Sequence, residues 1–139
     1  MIINGHIDMT FQNSSSIPRV IFNSKFYCPN LISIANQVGV EESIRLESGI
    51  YCWTLGPSYE TAEEIKFFRS LNGSAVGMST VPEIEMGAKL GLRMLTISTL
   101  TNYSAGILKN FLSHNEVLIN AEKSKKNFLK LLKNILKRI

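Results

Sequence analysis

Apolar positions along this chain follow two rhythms. Ile50-Tyr51-Cys52-Trp53-Thr54-Leu55 is an unbroken run of residues that favour strands, and strands buried on both faces read this way. It predicts a strand over 48–55. Ala75-Val76-Gly77 predicts a second, shorter strand, and the apolar stretch 92–100 a third. Helices are expected between them. One spans 61–71, with Ser58 and Thr61 as candidate caps and Glu63 and Glu64 suited to the positive end of its dipole. Asn72-Gly73 breaks it. A second spans 81–90, where Pro82 is tolerated in the first turn and Gly91 ends the element. A long terminal helix covers 113–138. Strands alternating with helices imply a layered α/β fold.

The first 47 residues are less regular. Met1-Ile2-Ile3 reads as the tail of a strand, residues 12–16 as a polar loop and 30–40 as a short helix. No repeat, linker or composition shift divides the chain, so residues 1–139 are expected to form part of one domain.

The chain has 139 residues, 45% hydrophobic and 19% charged, which is ordinary for a soluble globular chain and enough to bury a core. No run approaches the roughly 20 apolar residues that cross a bilayer. The N-terminus has no basic segment followed by an apolar core, so no secretory signal is expected. Cys28 and Cys52 are too few for a disulfide framework and lack metal-type spacing, which makes a reducing cytoplasm the default.

The net charge of +4 is unevenly spread, with seven Lys or Arg and no acid from Lys123 to Ile139. A basic tail can bind nucleic acid. The alternative is an amphipathic helix, because Phe128, Leu131, Leu132, Ile135 and Ile139 recur at steps of three and four with lysines between them. The second reading is preferred, with no nucleic acid and no membrane among the expected partners.

Candidate chemistry sits where strands end. Gly56-Pro57-Ser58-Tyr59-Glu60-Thr61 stops the first strand, and Met78-Ser79-Thr80-Val81-Pro82-Glu83 follows the second. Ligands of α/β sheets lie outside the carboxyl ends of strands. Loops offering an aromatic ring, a carboxylate and hydroxyls there point to a small-molecule site. The sequence shows no metal cluster, phosphate-cradling glycine loop or nucleophile triad.

Those two motifs, with Thr101-Asn102 following in order and Asn4-Gly5-His6-Ile7-Asp8-Met9 at the start, resemble the trimeric, 6-oxopurine-type purine nucleoside phosphorylases. The resemblance covers nearly the whole chain but only the carboxyl-terminal half of the family's length. It implies a three-layer α/β phosphorylase fold with a central mixed sheet, here without its amino-terminal strands. A split subunit or truncated gene product is therefore expected. It also implies phosphorolysis of inosine- or guanosine-type nucleosides to purine base and ribose 1-phosphate, with phosphate as co-substrate and no cofactor, in a homotrimer or with a complementing amino-terminal half. The other reading is a non-catalytic remnant that binds purine or a partner.

Carried over residue by residue, the resemblance gives Glu60 and Asn102 to base recognition. Glu60 accepts from a ring N–H, and Asn102 donates as negative charge develops on the purine. Asparagine at 102 favours 6-oxopurines, whereas aspartate there is similar to the methylthioadenosine phosphorylases. Tyr59 would stack on the base, Met78 would touch the ribose, Ser79 would donate to phosphate and His114 would approach the ribose 5′-hydroxyl. The plain alternatives are a helix-start carboxylate for Glu60, a strand-end core residue for Tyr59 and an ordinary first-turn residue for His114. Phe26 falls where the family has an aromatic that reaches a neighbouring subunit, and His6 is expected to be structural. Gly5 and Ala62 depart from the family's usual aspartate and proline. The rest of the family's phosphate site belongs to the absent half.

Overall fold

A computed structural model describes residues 1–12, 18–22, 24–107 and 114–139. Four strands form one mixed sheet in the order β2-β1-β3-β4. They are β1 (Ile2–Asp8), β2 (Val20–Ile21), β3 (Ser48–Trp53) and β4 (Gly73–Gly77). β1, β3 and β4 run parallel, and β2 is antiparallel to β1. The helices are α1 (Pro29–Glu41), α2 (Ala62–Ser70), α3 (Val81–Lys89) and α4 (His114–Leu136).

The alternation of side chains along β3 explains the layering. Ile50 and Cys52 face α2, where they pack with Ile7, Ile65 and Phe68. Tyr51 faces the opposite way, onto Val81 and Ile84 of α3 and onto Ile3 and Tyr27. The sheet thus lies between helical layers, as expected of the phosphorylase-type fold. A third cluster gathers Ile2 with Ala35 and Val38 of α1 and Leu131 and Ile135 of α4. The terminal helix is amphipathic and docked, as its spacing predicts. Its buried seam is narrower than expected, since Leu132 and Ile139 stay exposed. Lys130 pairs with Glu42, and Arg138 with Glu41.

Two expectations are corrected, and one element is added. Met1-Ile2-Ile3 opens a strand that continues to Asp8. A register shift between Ile3 and Gly5 puts Ile3 and His6 on one face, so the period-two alternation that would reveal the strand is lost. The two-residue β2, which lies between Arg19 and Phe22, has no counterpart among the expected elements. The expected strand at 92–100 forms only an isolated bridge, Ile97 to Ile2, with Ile3 N donating to Thr96 O and Ser98 N to Met1 O. β2 already pairs with His6 and Ile7 on that side of β1, so this segment meets a partner for only a few residues. Most of the polar loop expected at 12–16 lies outside the described residues.

Candidate active site

The three parallel strands point their carboxyl ends the same way, and backbone hydrogen bonds tie those ends together. Met9 N donates to Trp53 O at 2.9 Å, and Thr54 N to Gly77 O at 3.0 Å. The second bond prolongs the β3–β4 ladder past Trp53↔Gly77 and sets the loop after β3 beside the loop after β4. Gly56 makes the approach possible. It has φ +70°, and a Cβ there would sit 2.3 Å from Met78 Sδ, so Met78 packs directly over its backbone.

Beyond the loop, Thr61 caps α2. Its hydroxyl accepts from Glu64 N, while the Glu64 carboxylate accepts from Thr61 N at 2.7 Å. This reciprocal pair satisfies two otherwise orphaned donors. It holds the Glu64 carboxyl below its ordinary range, because its ionised form is the better acceptor. Of the two candidate caps, Thr61 takes the role.

These loops, β4 and the segment 98–107 enclose a cavity of about 740 Å³. Tyr59, Glu60, Met78 and Asn102 all line it, so four of the residues singled out in sequence share one space. Glu60 is half-buried and accepts from Thr54 Oγ1 at 2.9 Å. Cys52 lies at the floor, 1% exposed. Burial, and then the Glu60 carboxylate, push its thiol up to about 11, so it is protonated at neutral pH and a poor nucleophile. Asn102 Oδ1 accepts from Thr101 Oγ1 at 2.8 Å, and its amide donates to Tyr103 O at 3.2 Å. Each end of that carboxamide keeps further hydrogen-bonding capacity.

The remaining candidates lie elsewhere. Ser79 is exposed and lines a separate depression of about 330 Å³ with Thr80, Glu83, Met94 and Thr96. Its hydroxyl is 3.2 Å from that of Thr80. His114 opens α4, and its side chain lies outside the described residues. Phe26 meets the His6 ring edge-on at 5.6 Å and does not line the cavity. His6 is fully buried, with Nδ1 2.6 Å from the Tyr27 hydroxyl. Its Nε2 has no hydrogen-bond partner and lies 3.9 Å from Glu85 Oε1. Burial lowers its pKa to about 4, so the ring is neutral near pH 7, as suits a structural residue.

Sequence reasoning missed Thr54, which lay inside a run read only for its strand character, and Asn120, a polar residue of α4 that reaches the cavity. Among the described residues, no cluster of three His, Cys, Asp or Glu could hold a metal ion, and no helix is long and apolar enough to cross a membrane.

A sheet whose strand-end loops frame a cavity with an aromatic ring, a carboxylate and a carboxamide has the form of a candidate small-molecule site of the α/β type. The family model described as "Phosphorylase superfamily" matches residues 1–137. The chain is 41% identical to Purine nucleoside phosphorylase 1 of Bacillus subtilis, over 97% of its own length and 52% of that protein's. It is 40% identical to a probable 6-oxopurine nucleoside phosphorylase of Moorella thermoacetica, over 76% of its length and 41% of that protein's. A schistosoma purine nucleoside phosphorylase crystallised with hypoxanthine shares the fold, with a TM-score of 0.87 at 24% identity, covering all of this chain and 55% of that one. The chain belongs to the phosphorylase superfamily. It spans about half the length of the relatives it matches.

Proposed function

We propose that this chain is the purine-recognising part of a purine nucleoside phosphorylase. The reaction is nucleoside plus phosphate to purine base and ribose 1-phosphate, with no cofactor and phosphate as co-substrate. The observation that carries the reading is that Tyr59, Glu60, Met78 and Asn102 line one cavity. The relatives named for purine and 6-oxopurine nucleosides add support.

In this reading the Glu60 carboxylate, oriented by Thr54, accepts from a purine ring N–H. The Asn102 carboxamide donates to the 6-oxo side as the base takes up negative charge when the glycosidic bond breaks. Both bonds gain strength as that charge develops, which is how a binding contact becomes a catalytic one. Tyr59 stacks on the base, and Met78 borders the ribose. Ser79 donates to phosphate from the neighbouring depression. His114, at the head of α4, approaches the ribose 5′-hydroxyl.

Residues 1–139 form the carboxyl-terminal portion of one phosphorylase domain, which an amino-terminal half completes, and the whole assembles as a trimer in the cytoplasm. One serine hydroxyl is a thin anion site, and loss of a single aligned donor can cost about 10²–10³ in rate. Inosine phosphorolysis by the chain alone and with an amino-terminal half supplied in trans tests the proposal. The chain alone is expected to be nearly inert and the pair active. Robust turnover by the chain alone would refute its incompleteness. Inactivity of the pair, with no purine binding by either, would leave a non-catalytic interaction module.

A further inference from the structure

Asn120 lies on α4, in the helix's amino-terminal half, and its side chain crosses to the loop that carries Asn102. Its Nδ2 donates to the Thr101 backbone carbonyl at 2.7 Å across nineteen positions of sequence, and Asn120 itself lines the cavity. Among the described residues, the other side-chain hydrogen bonds of the Thr101–Asn102 pair are local. Thr101 Oγ1 donates to Asn102 Oδ1, and Asn102 Nδ2 to Tyr103 O. Local bonds set the rotamer of Asn102 relative to its own backbone, but they do not fix that backbone in space. The Asn120 bond ties it to a helix whose far end is anchored by Leu131 and Ile135 in the core. The Asn120 carbonyl accepts from Ser124 Oγ at 3.0 Å, within the same helix.

From this geometry we infer that Asn120 is a positioning residue for purine selection. By holding the Thr101 carbonyl, it fixes where the Asn102 carboxamide meets the base. The role rests on the purine-site reading above and adds to it a residue outside the strand-end loops. Asparagine suits the task because its amide donates to a carbonyl. Aspartate has nearly the same shape, but when ionised it can only accept and would repel the carbonyl.

The test uses the chain with Asn120→Asp and Asn120→Ala. Backbone ¹⁵N order parameters at Thr101, Asn102 and Tyr103 are measured without ligand. Affinities for hypoxanthine and adenine are measured separately. In the unsubstituted chain the three residues should be rigid, with values near roughly 0.8, falling toward about 0.6 in both variants while α4 is unchanged. The hypoxanthine-to-adenine preference should fall about two- to tenfold, the factor that one ordinary hydrogen bond supplies.

Unchanged order at 101–103 in both variants overturns the inference. So does a loss of order spread equally through α4, because the substitution would then have loosened the helix. Released loop residues with an undiminished preference also overturn it. If neither the unsubstituted chain nor its pair with the amino-terminal half binds either base, the purine-site reading itself has failed, and the order parameters alone decide whether Asn120 holds the loop.

Discussion

Thr54 Oγ1 donates to Glu60 Oε1 at 2.9 Å, linking the end of β3 to the carboxylate of the loop that follows it. The bond occupies one carboxylate oxygen and leaves the other for a ligand. It is also made to a partly buried charge above a fully buried thiol, so the carboxylate gains from any donor that replaces water.

Thr54→Val keeps the β-branched shape suited to its strand-end position and removes the donor. Glu60 would then lose its fixed orientation, and hypoxanthine affinity should fall about two- to tenfold, the worth of one hydrogen bond in a half-solvated site. Calorimetric titration of both chains checks this. Glu60→Ala should weaken every purine that presents a ring N–H, and by more than Thr54→Val does.

Gly56→Ala asks for a positive φ from a residue with a Cβ and drives that carbon into Met78 Sδ. The backbone penalty is about 1–2 kcal/mol, and Met78 must leave the cavity wall. Thermal unfolding should report the loss of stability. Purine affinity should fall as well, since the loops after β3 and β4 no longer fit together.

Thr61→Ala removes the capping box of α2 at a cost of about 1 kcal/mol, measurable by urea unfolding. The cap is also pH-dependent. The folded-state pKa of Glu64 is depressed, so its contribution is present above the ordinary carboxylate pKa and is lost as pH falls through the lower folded value. The difference in stability between the native chain and Thr61→Ala should shrink across that acidic range. A constant difference would place the stabilisation elsewhere.

His6 provides a second pH signature. Its folded pKa is about 4, down from 6.5 through burial. Between those values the unfolded chain binds more protons than the folded one, so stability rises with pH through this window and is fully present above 6.5. His6→Phe should remove this component, flattening the stability profile between pH 4 and 6.5 relative to the native chain. Parallel profiles for the two chains would contradict the assignment.

The elements after residue 47 were largely legible because their boundaries are chemical. Thr61 with Glu64, Asn72-Gly73 and Pro82 each mark a start or a stop through local hydrogen bonding or backbone preference, and the helices end within a residue or two of where those marks fall. β1 was half concealed because its core-facing positions include Gly5 and a histidine, and because the register shift near Asn4 breaks the alternation. The buried His6 is made tolerable by a hydroxyl twenty-one residues away on Tyr27, which no local pattern announces. The stretch 92–100 had the composition of a strand, but a strand also needs a partner along its length. At the site, the strand-end motifs identified residues that do share a cavity. Thr54 and Asn120 stayed hidden because each acts through one hydrogen bond to another element or loop, a relation without sequence periodicity.

The most direct test is the base preference of Asn102→Asp. An ionised carboxylate only accepts hydrogen bonds, so at position 102 it repels a 6-oxo oxygen and pairs with a 6-amino group, and a site built for one pattern rejects the other. Affinities of the native chain and of Asn102→Asp for hypoxanthine and adenine should show the native chain preferring hypoxanthine. The variant should shift that ratio toward adenine on the order of tenfold or more. Equal weakening of both bases, with the ratio unchanged, would make Asn102 a structural residue and contradict the purine-site account.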